Sequence, residues 1–214
     1  MDISTLRRSK IQERDALDGA VTAEWSVAMA DTLTRSFEYQ QCESVHVFLS
    51  FGSEPLTQPL IERAWNDGKT VYVPSVTIPG TKEGNSDTAE SKDRAVMMHM
   101  QYDRGDELAG GMYGIPEPVG KPRLVDAEIK SPALLAVVPL VAFNELLVRM
   151  GYGKGYYDRF LEHRSFFAFG FAFTAAFSTE FDPQAHDARL DAIVTEQGIV
   201  RTRRSINSPV SISL

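Results

Sequence analysis

The stretch that decides the fold is VHVFLSFGSEPLTQPLIERAWNDGKTVYVP, residues 45–74. Its first part, VHVFLSF (45–51), is apolar and rich enough in β-branched and aromatic residues to read as a strand. The pattern then predicts a helix over 58–66, with Thr57 as N-cap, Pro59 in the first turn and Gly68 at the stop. TVYV (70–73) reads as a second strand, ended by Pro74. Strand, helix, strand is the signature of a parallel sheet joined by crossover helices.

Working outward, residues 4–40 read as two helices. In the second, Val21, Trp25, Met29, Leu33 and Phe37 recur at helical spacing and form one apolar stripe. Downstream, PGTKEGNSDTAESKDR (79–94) has almost nothing to bury and reads as a polar surface insertion. Met97, Met98 and Met100 resume a strand as core residues. LLAVVP (134–139) is the continuous apolar run of a strand buried on both faces. FAFGFAF (167–173) alternates four phenylalanines with Ala168, Gly170 and Ala172, so one face is bulky and the other leaves room for a helix. The expected fold is α/β: a three-layer, open, mostly parallel, Rossmann-like sheet with helices on both faces. No internal repeat is visible, and one domain is expected over residues 1–214.

Of the 214 residues, 43% are hydrophobic and 24% charged, which suits a globular chain with a sizeable core. No apolar run is long enough for a membrane helix, and the first twelve residues lack the apolar stretch of a secretory signal. The single cysteine, Cys42, excludes an intramolecular disulfide and any multi-cysteine zinc site, and fits a cytoplasmic setting. A net charge of −7 argues against a nucleic-acid partner, because phosphate backbones recruit basic surfaces. It leaves room for a local basic pocket that takes a small anion.

Such a pocket is suggested by RMGYGKGYYDR, residues 149–159. Gly151, Gly153 and Gly155 alternate, so the backbone can turn tightly and approach a ligand. Consecutive amides and the start of a helix near Tyr157 favour an anion. Lys154 lies between two glycines, and Arg149 and Arg159 flank the loop. Together these are the parts of a triphosphate cradle, with Asp158 placed to hold magnesium. The pattern is neither the P-loop nor the dinucleotide fingerprint, and a glycine-rich surface turn with solvated charges is the alternative. His186 and Asp187 offer no convincing ligand set and read as structural.

RMGYGKGYYDRFL resembles the signature loop of the 5-formyltetrahydrofolate cyclo-ligase family. GMYGIPEP (111–118) is similar to its Gly-Ile-x-Glu-Pro element. FLSFGSEPLTQPLI (48–61) resembles its first strand with the following glutamate and helix start, and AHDARLDAIVTEQGIV (185–200) its C-terminal strand pair. These elements occur in the family's order across most of the chain, the polar insertion excepted.

The resemblance implies a cytoplasmic, ATP- and magnesium-dependent enzyme. It would convert 5-formyltetrahydrofolate to 5,10-methenyltetrahydrofolate with release of ADP and phosphate. Its partners would be a reduced folate, polyglutamylated or not, with no membrane, acting as a monomer or small homo-oligomer. It also implies roles. Arg7, Arg149, Met150, Gly151, Tyr152, Gly153, Lys154, Gly155, Tyr156 and Tyr157 would contact ATP. Lys154, Arg149 and Tyr156 would be catalytic, with Lys154 nearest the transferred phosphoryl group. Arg7, Leu49, Glu54 and Tyr156 would line the folate site, and Asp158 and Asp191 would bind magnesium. Without the resemblance, Arg7, Arg8, Lys10 and Arg14 read as the solvated face of the first helix.

The sequence departs from the family where Ile3 replaces a lysine, Asn144 an aspartate, Leu147 a glycine and Ala176 a glutamine. The loss at position 3 removes a charge that would meet ATP phosphates, and Lys10, on a different face of the same helix, is the candidate replacement. A divergent relative that binds nucleotide or folate as a regulatory module with little turnover is the alternative reading. An isomerase or transferase acting on a sugar phosphate or thioester is a third, carried by fold analogy alone.

Overall fold

The computed structural model describes residues 2–78, 95–181 and 188–202. The polar stretch 79–94 and the pair His186 and Asp187 lie outside the described residues. Three helices open the chain: α1 (Ile3–Asp15), α2 (Gly19–Thr34) and α3 (Phe37–Gln41). The expected pair becomes three because Asp18 and Ser36 each cap a new start. Asp18 accepts from Ala20 and Val21 amides, and Ser36 from the Tyr39 amide. The apolar stripe is correspondingly shorter than its periodicity suggests. Met29 and Leu33 are buried and Trp25 packs on the core, whereas Val21 and Phe37 are exposed.

The strands follow: β1 (Ser44–Val47), then α4 (Gln58–Asn66), β2 (Thr70–Thr77) and β3 (Val96–Gln101). A hairpin of β4 (Leu108–Gly110) and β5 (Pro116–Pro118) leads to α5 (Asp126–Ile129) and β6 (Leu134–Val138). A second hairpin, β7 (Ala142–Phe143) and β8 (Arg149–Met150), precedes α6 (Tyr156–Leu161) and β9 (Phe167–Phe171). β10 (Ala192–Thr195) and β11 (Gly198–Val200) close the described chain. The main sheet runs β11-β10-β9-β6-β1-β2-β3, parallel from β10 through β2 and antiparallel at both edges.

Two cores sandwich this sheet, as the alternating phenylalanines require. Val45, Val47, Phe169 and Phe171 face α2 and α4, whose Met29, Leu33, Leu60 and Ile61 are buried against them. Each such side chain contributes about 1.5–3 kcal/mol by leaving water. The small face of β9, Ala168 with Gly170, packs with Phe160 and Leu161 of α6. A Cβ at Gly170 would stand 2.7 Å from Leu140 Cδ2. His46 and His99 meet on this side. His99 Nδ1 lies 3.1 Å from His46 Nε2, and His99 Nε2 lies 2.8 Å from the Asp126 carboxylate.

Several local expectations are corrected. β1 stops at Val47, not Phe51, because side chains take over the next backbone groups. Thr57 Oγ1 donates to Phe48 O at 2.7 Å and Ser50 Oγ to Pro55 O at 2.7 Å. Thr57 precedes α4 as expected, yet its side chain caps no helix amide. Pro74 does not end β2. It lies beyond the last pairing with β1 and needs a neighbour only from β3, so its missing N–H is tolerated. Met100 is buried as expected, while Met97 and Met98 are only partly covered. No helix among the described residues is long and apolar enough to cross a membrane.

Candidate active site

β1 continues through α4 to β2 on one side, and β6 continues through α6 to β9 on the other. The adjacent carboxyl ends of β1 and β6 are therefore a topological switch point, where open α/β sheets place ligands. A cleft of 1030 Å³ opens there. Phe48 and Leu49 reach it from β1, Pro139 from β6 and Pro74 from β2.

One wall is the loop after β8. Gly153 and Gly155 have φ of +89° and +68°, a left-handed conformation that side-chain-bearing residues rarely adopt, and Gly155 precedes the first residue of α6. α1 lies across this loop. Arg7 Nε donates to Gly151 O at 2.8 Å, and its guanidinium lies against Gly153. Buried Arg149 donates through Nη2 to Asp158 Oδ1 at 2.6 Å and stacks on Tyr157. Lys154 is exposed on the cleft wall. Arg7, Arg149, Lys154 and Arg159 face the cleft against Glu54, Asp158 and Glu162, so a basic pocket exists within an acidic chain.

The other wall is polar at one point only. Glu54 is 8% exposed, and its Oε1 accepts from the Tyr152 hydroxyl at 2.6 Å and its Oε2 from the Phe51 amide at 2.9 Å. Burial pushes its carboxyl above the ordinary range, opposed by those two hydrogen bonds and by the Arg14 charge. Burial and the Glu54 charge push the hydroxyls of Tyr152 and Tyr157 upward, so both stay protonated. Tyr156 pairs with Tyr113, hydroxyl to hydroxyl at 3.2 Å, which brings the GMYGIPEP segment to the rim. In that segment Gly111 has no room for a Cβ, which would lie 2.4 Å from the Glu117 carboxyl carbon.

The cleft thus gathers Arg7, Leu49, Glu54, Arg149, Met150, Gly151, Tyr152, Gly153, Lys154, Gly155, Tyr156, Tyr157 and Asp158. Asp191 is not among them. It stands just before β10, accepts from the Ala168 amide at 2.8 Å and pairs with Arg164, at the end of the sheet away from the cleft. No cluster of three metal-ligating side chains occurs among the described residues. Sequence reasoning passed over Tyr113, Ile115 and Phe51, which line the cleft, although the segments that carry them were flagged.

The helix face expected to be solvated is not uniformly so. Arg14 is 9% exposed and Arg7 is engaged with the loop, whereas Arg8 is exposed. Lys10 does not compensate for Ile3. Its ammonium bonds Glu13 and Ala175 O and does not line the cleft, whereas Ile3 does. Asn144 does an aspartate's work as an acceptor, taking the Leu146 and Val148 amides at 3.1 Å each. Leu147 adopts φ +57° and is 1% exposed, so burial offsets the strain that a glycine there avoids. Ala176 closes a 3₁₀ turn over Thr174–Ala176.

The family described as the 5-formyltetrahydrofolate cyclo-ligase family matches residues 2–196. The 5-formyltetrahydrofolate cyclo-ligase of Escherichia coli is 33% identical over 168 residues, 76% of this chain and 84% of that protein. A probable 5-formyltetrahydrofolate cyclo-ligase of Schizosaccharomyces pombe is 25% identical over 190 residues, 82% of this chain and 86% of that one. In fold, the chain is similar to the Aquifex aeolicus 5,10-methenyltetrahydrofolate synthetase, with a TM-score of 0.74 at 24% identity, covering 100% of this chain and 97% of that one.

Proposed function

The chain belongs to the 5-formyltetrahydrofolate cyclo-ligase family, and from that premise we propose that its cleft cyclises 5-formyltetrahydrofolate to 5,10-methenyltetrahydrofolate at the expense of ATP. The observation that carries the reading is the pairing of two unlike walls at the switch point. A glycine loop with Arg7, Arg149 and Lys154 suits a triphosphate, and buried Glu54 opposite suits the N–H groups of a pterin.

The chemistry explains the need for ATP. The N5-formyl group is an amide, and its oxygen is a poor leaving group. Transfer of the γ-phosphoryl group to that oxygen gives an iminium phosphate and ADP. N10 then attacks the formyl carbon with loss of its proton, the carbon–oxygen bond breaks, and phosphate departs. Such transfer depends on positioning and charge neutralisation more than on covalent help from the protein. In this reading Lys154 sits against the transferred group, while Arg7 and Arg149 hold the remaining phosphates. Tyr156, with Leu49, flanks the folate ring.

Magnesium fits at Asp158. Its carboxylate is 35% exposed at the cleft, and magnesium uses one or two carboxylates together with phosphate oxygens. When bound, the ion neutralises phosphate charge. Asp191 is held by Arg164 elsewhere, so we assign the ion to Asp158 alone. Ile3 at the cleft favours one second reading, a binder of nucleotide and folate with little turnover.

The test is the near-ultraviolet absorbance of methenyltetrahydrofolate, followed with enzyme, magnesium and 5-formyltetrahydrofolate, with and without ATP. An ATP-dependent rise supports the enzyme. Folded protein that binds both ligands without a rise moves the assignment to the binder.

A further inference from the structure

Arg14 does not line the cleft, yet it is buried two helical turns from Arg7 on the same helix, and it bonds the cleft's wall. Its Nη2 donates to the Tyr152 hydroxyl oxygen at 2.9 Å and its Nε to Ser53 Oγ at 3.0 Å. Ser53 in turn donates to Asp15. A guanidinium has donors and no acceptor. The Tyr152 oxygen must therefore accept from Arg14, which commits its own hydrogen to Glu54 Oε1. With the Phe51 amide on Oε2, both carboxylate oxygens accept hydrogen bonds from the protein. A protonated Glu54 would have to turn a hydrogen toward one of two donors.

We propose that Arg14 is a positioning residue which, through Tyr152, holds Glu54 as an acceptor-only carboxylate for the N–H groups of the bound pterin. The part that concerns the pterin rests on the cyclo-ligase reading, while the Arg14–Tyr152–Glu54 relay stands on geometry alone. Burial raises the Glu54 carboxyl, and the Tyr152 hydroxyl, the Phe51 amide and the Arg14 charge oppose it. Arg14 comes from α1 and Tyr152 from the glycine loop. From α6, Tyr157 feels the Glu54 charge and also faces Arg149. Arg7 and Lys154 share the cleft without bonding Glu54 among the described residues.

The test follows the Glu54 side-chain carboxyl by ¹³C NMR of glutamate-labelled protein across pH, with the resonance assigned by its loss in Glu54→Gln. In Arg14→Met the midpoint moves up by about one unit, the effect of removing a nearby opposite charge, and Arg14→Lys restores part of it. Tyr152→Phe, which cuts the relay while leaving Arg14 in place, moves it in the same direction and serves if Arg14→Met does not fold. Equal midpoints in wild type and in the folded variants overturn the relay. In turnover, Arg14→Met raises KM for 5-formyltetrahydrofolate about tenfold on the acid side, the equivalent of one unit, and leaves kcat near wild type. In a Glu54→Gln background the same substitution changes KM no further. An Arg14 effect that persists there overturns the positioning role. Wild type without turnover would instead overturn the cyclo-ligase reading, and the ligand-free NMR titration would still decide the relay.

Discussion

Arg7 Nε donates to the carbonyl oxygen of Gly151 at 2.8 Å, fastening the first helix to the glycine loop across 144 positions of sequence. A charge-assisted bond of this kind contributes about 1.5–3 kcal/mol. Arg7→Ala should therefore raise KM for ATP roughly ten- to a hundredfold while the melting temperature changes little, since the guanidinium supports no core. Initial rates at varied ATP check this. An unchanged KM would remove Arg7 from the nucleotide site.

Lys154 is exposed on a loop, so Lys154→Ala should leave the fold intact and lower kcat by about 10²–10³, the scale seen when one donor to developing charge is removed. Circular dichroism and turnover on the same sample separate the two effects. Wild-type turnover would sink its proposed role.

Leu147 sets burial against backbone strain. Leu147→Ala should destabilise by about 2–4 kcal/mol through the cavity it leaves. Leu147→Gly removes still more side chain, yet glycine accepts the φ of +57°, so its loss should be smaller by about 1 kcal/mol. Urea denaturation of both variants decides, and the reverse order would show that the strain is negligible.

Gly170→Ala should destabilise by about 1–3 kcal/mol, because its Cβ would meet Leu140 and Leu190 between the sheet and its neighbours. Thermal melting checks it, and a neutral result would mean that this side of the sheet yields easily.

His46 and His99 are held below the ordinary histidine range by burial, although Asp126 opposes this at His99. The unfolded chain therefore binds more protons than the native one between the lowered values and about 6.5. Stability should fall as pH drops through that window and be fully regained above it. His46→Gln should flatten the acid limb of melting temperature against pH, and an unchanged limb would place the titration elsewhere.

The sheet was legible because its signals are local. LLAVVP and FAFGFAF declare strands buried on both faces, and the β1–α4–β2 segment announces the crossover. The glycine loop was legible too, since its chemistry is contiguous. What escaped depends on partners far away in sequence. Arg14 looks like any solvated arginine until Ser53 and Tyr152 close over it. Pro74 looks like a strand end until β1 is seen to stop before it. Asp191 came from the resemblance, and no sequence pattern reveals that it lies at the wrong end of β10 for the cleft. Lys10 seemed a replacement for Ile3, but its helical face points it at Ala175.

The central claim is that the formyl oxygen leaves as part of phosphate. The most direct measurement uses 5-formyltetrahydrofolate carrying ¹⁸O in its formyl group, with ATP and magnesium, and analyses the inorganic phosphate by mass spectrometry. The account predicts one ¹⁸O atom in each phosphate released. Unlabelled phosphate, with the label in water, would contradict phosphoryl transfer to the formyl group.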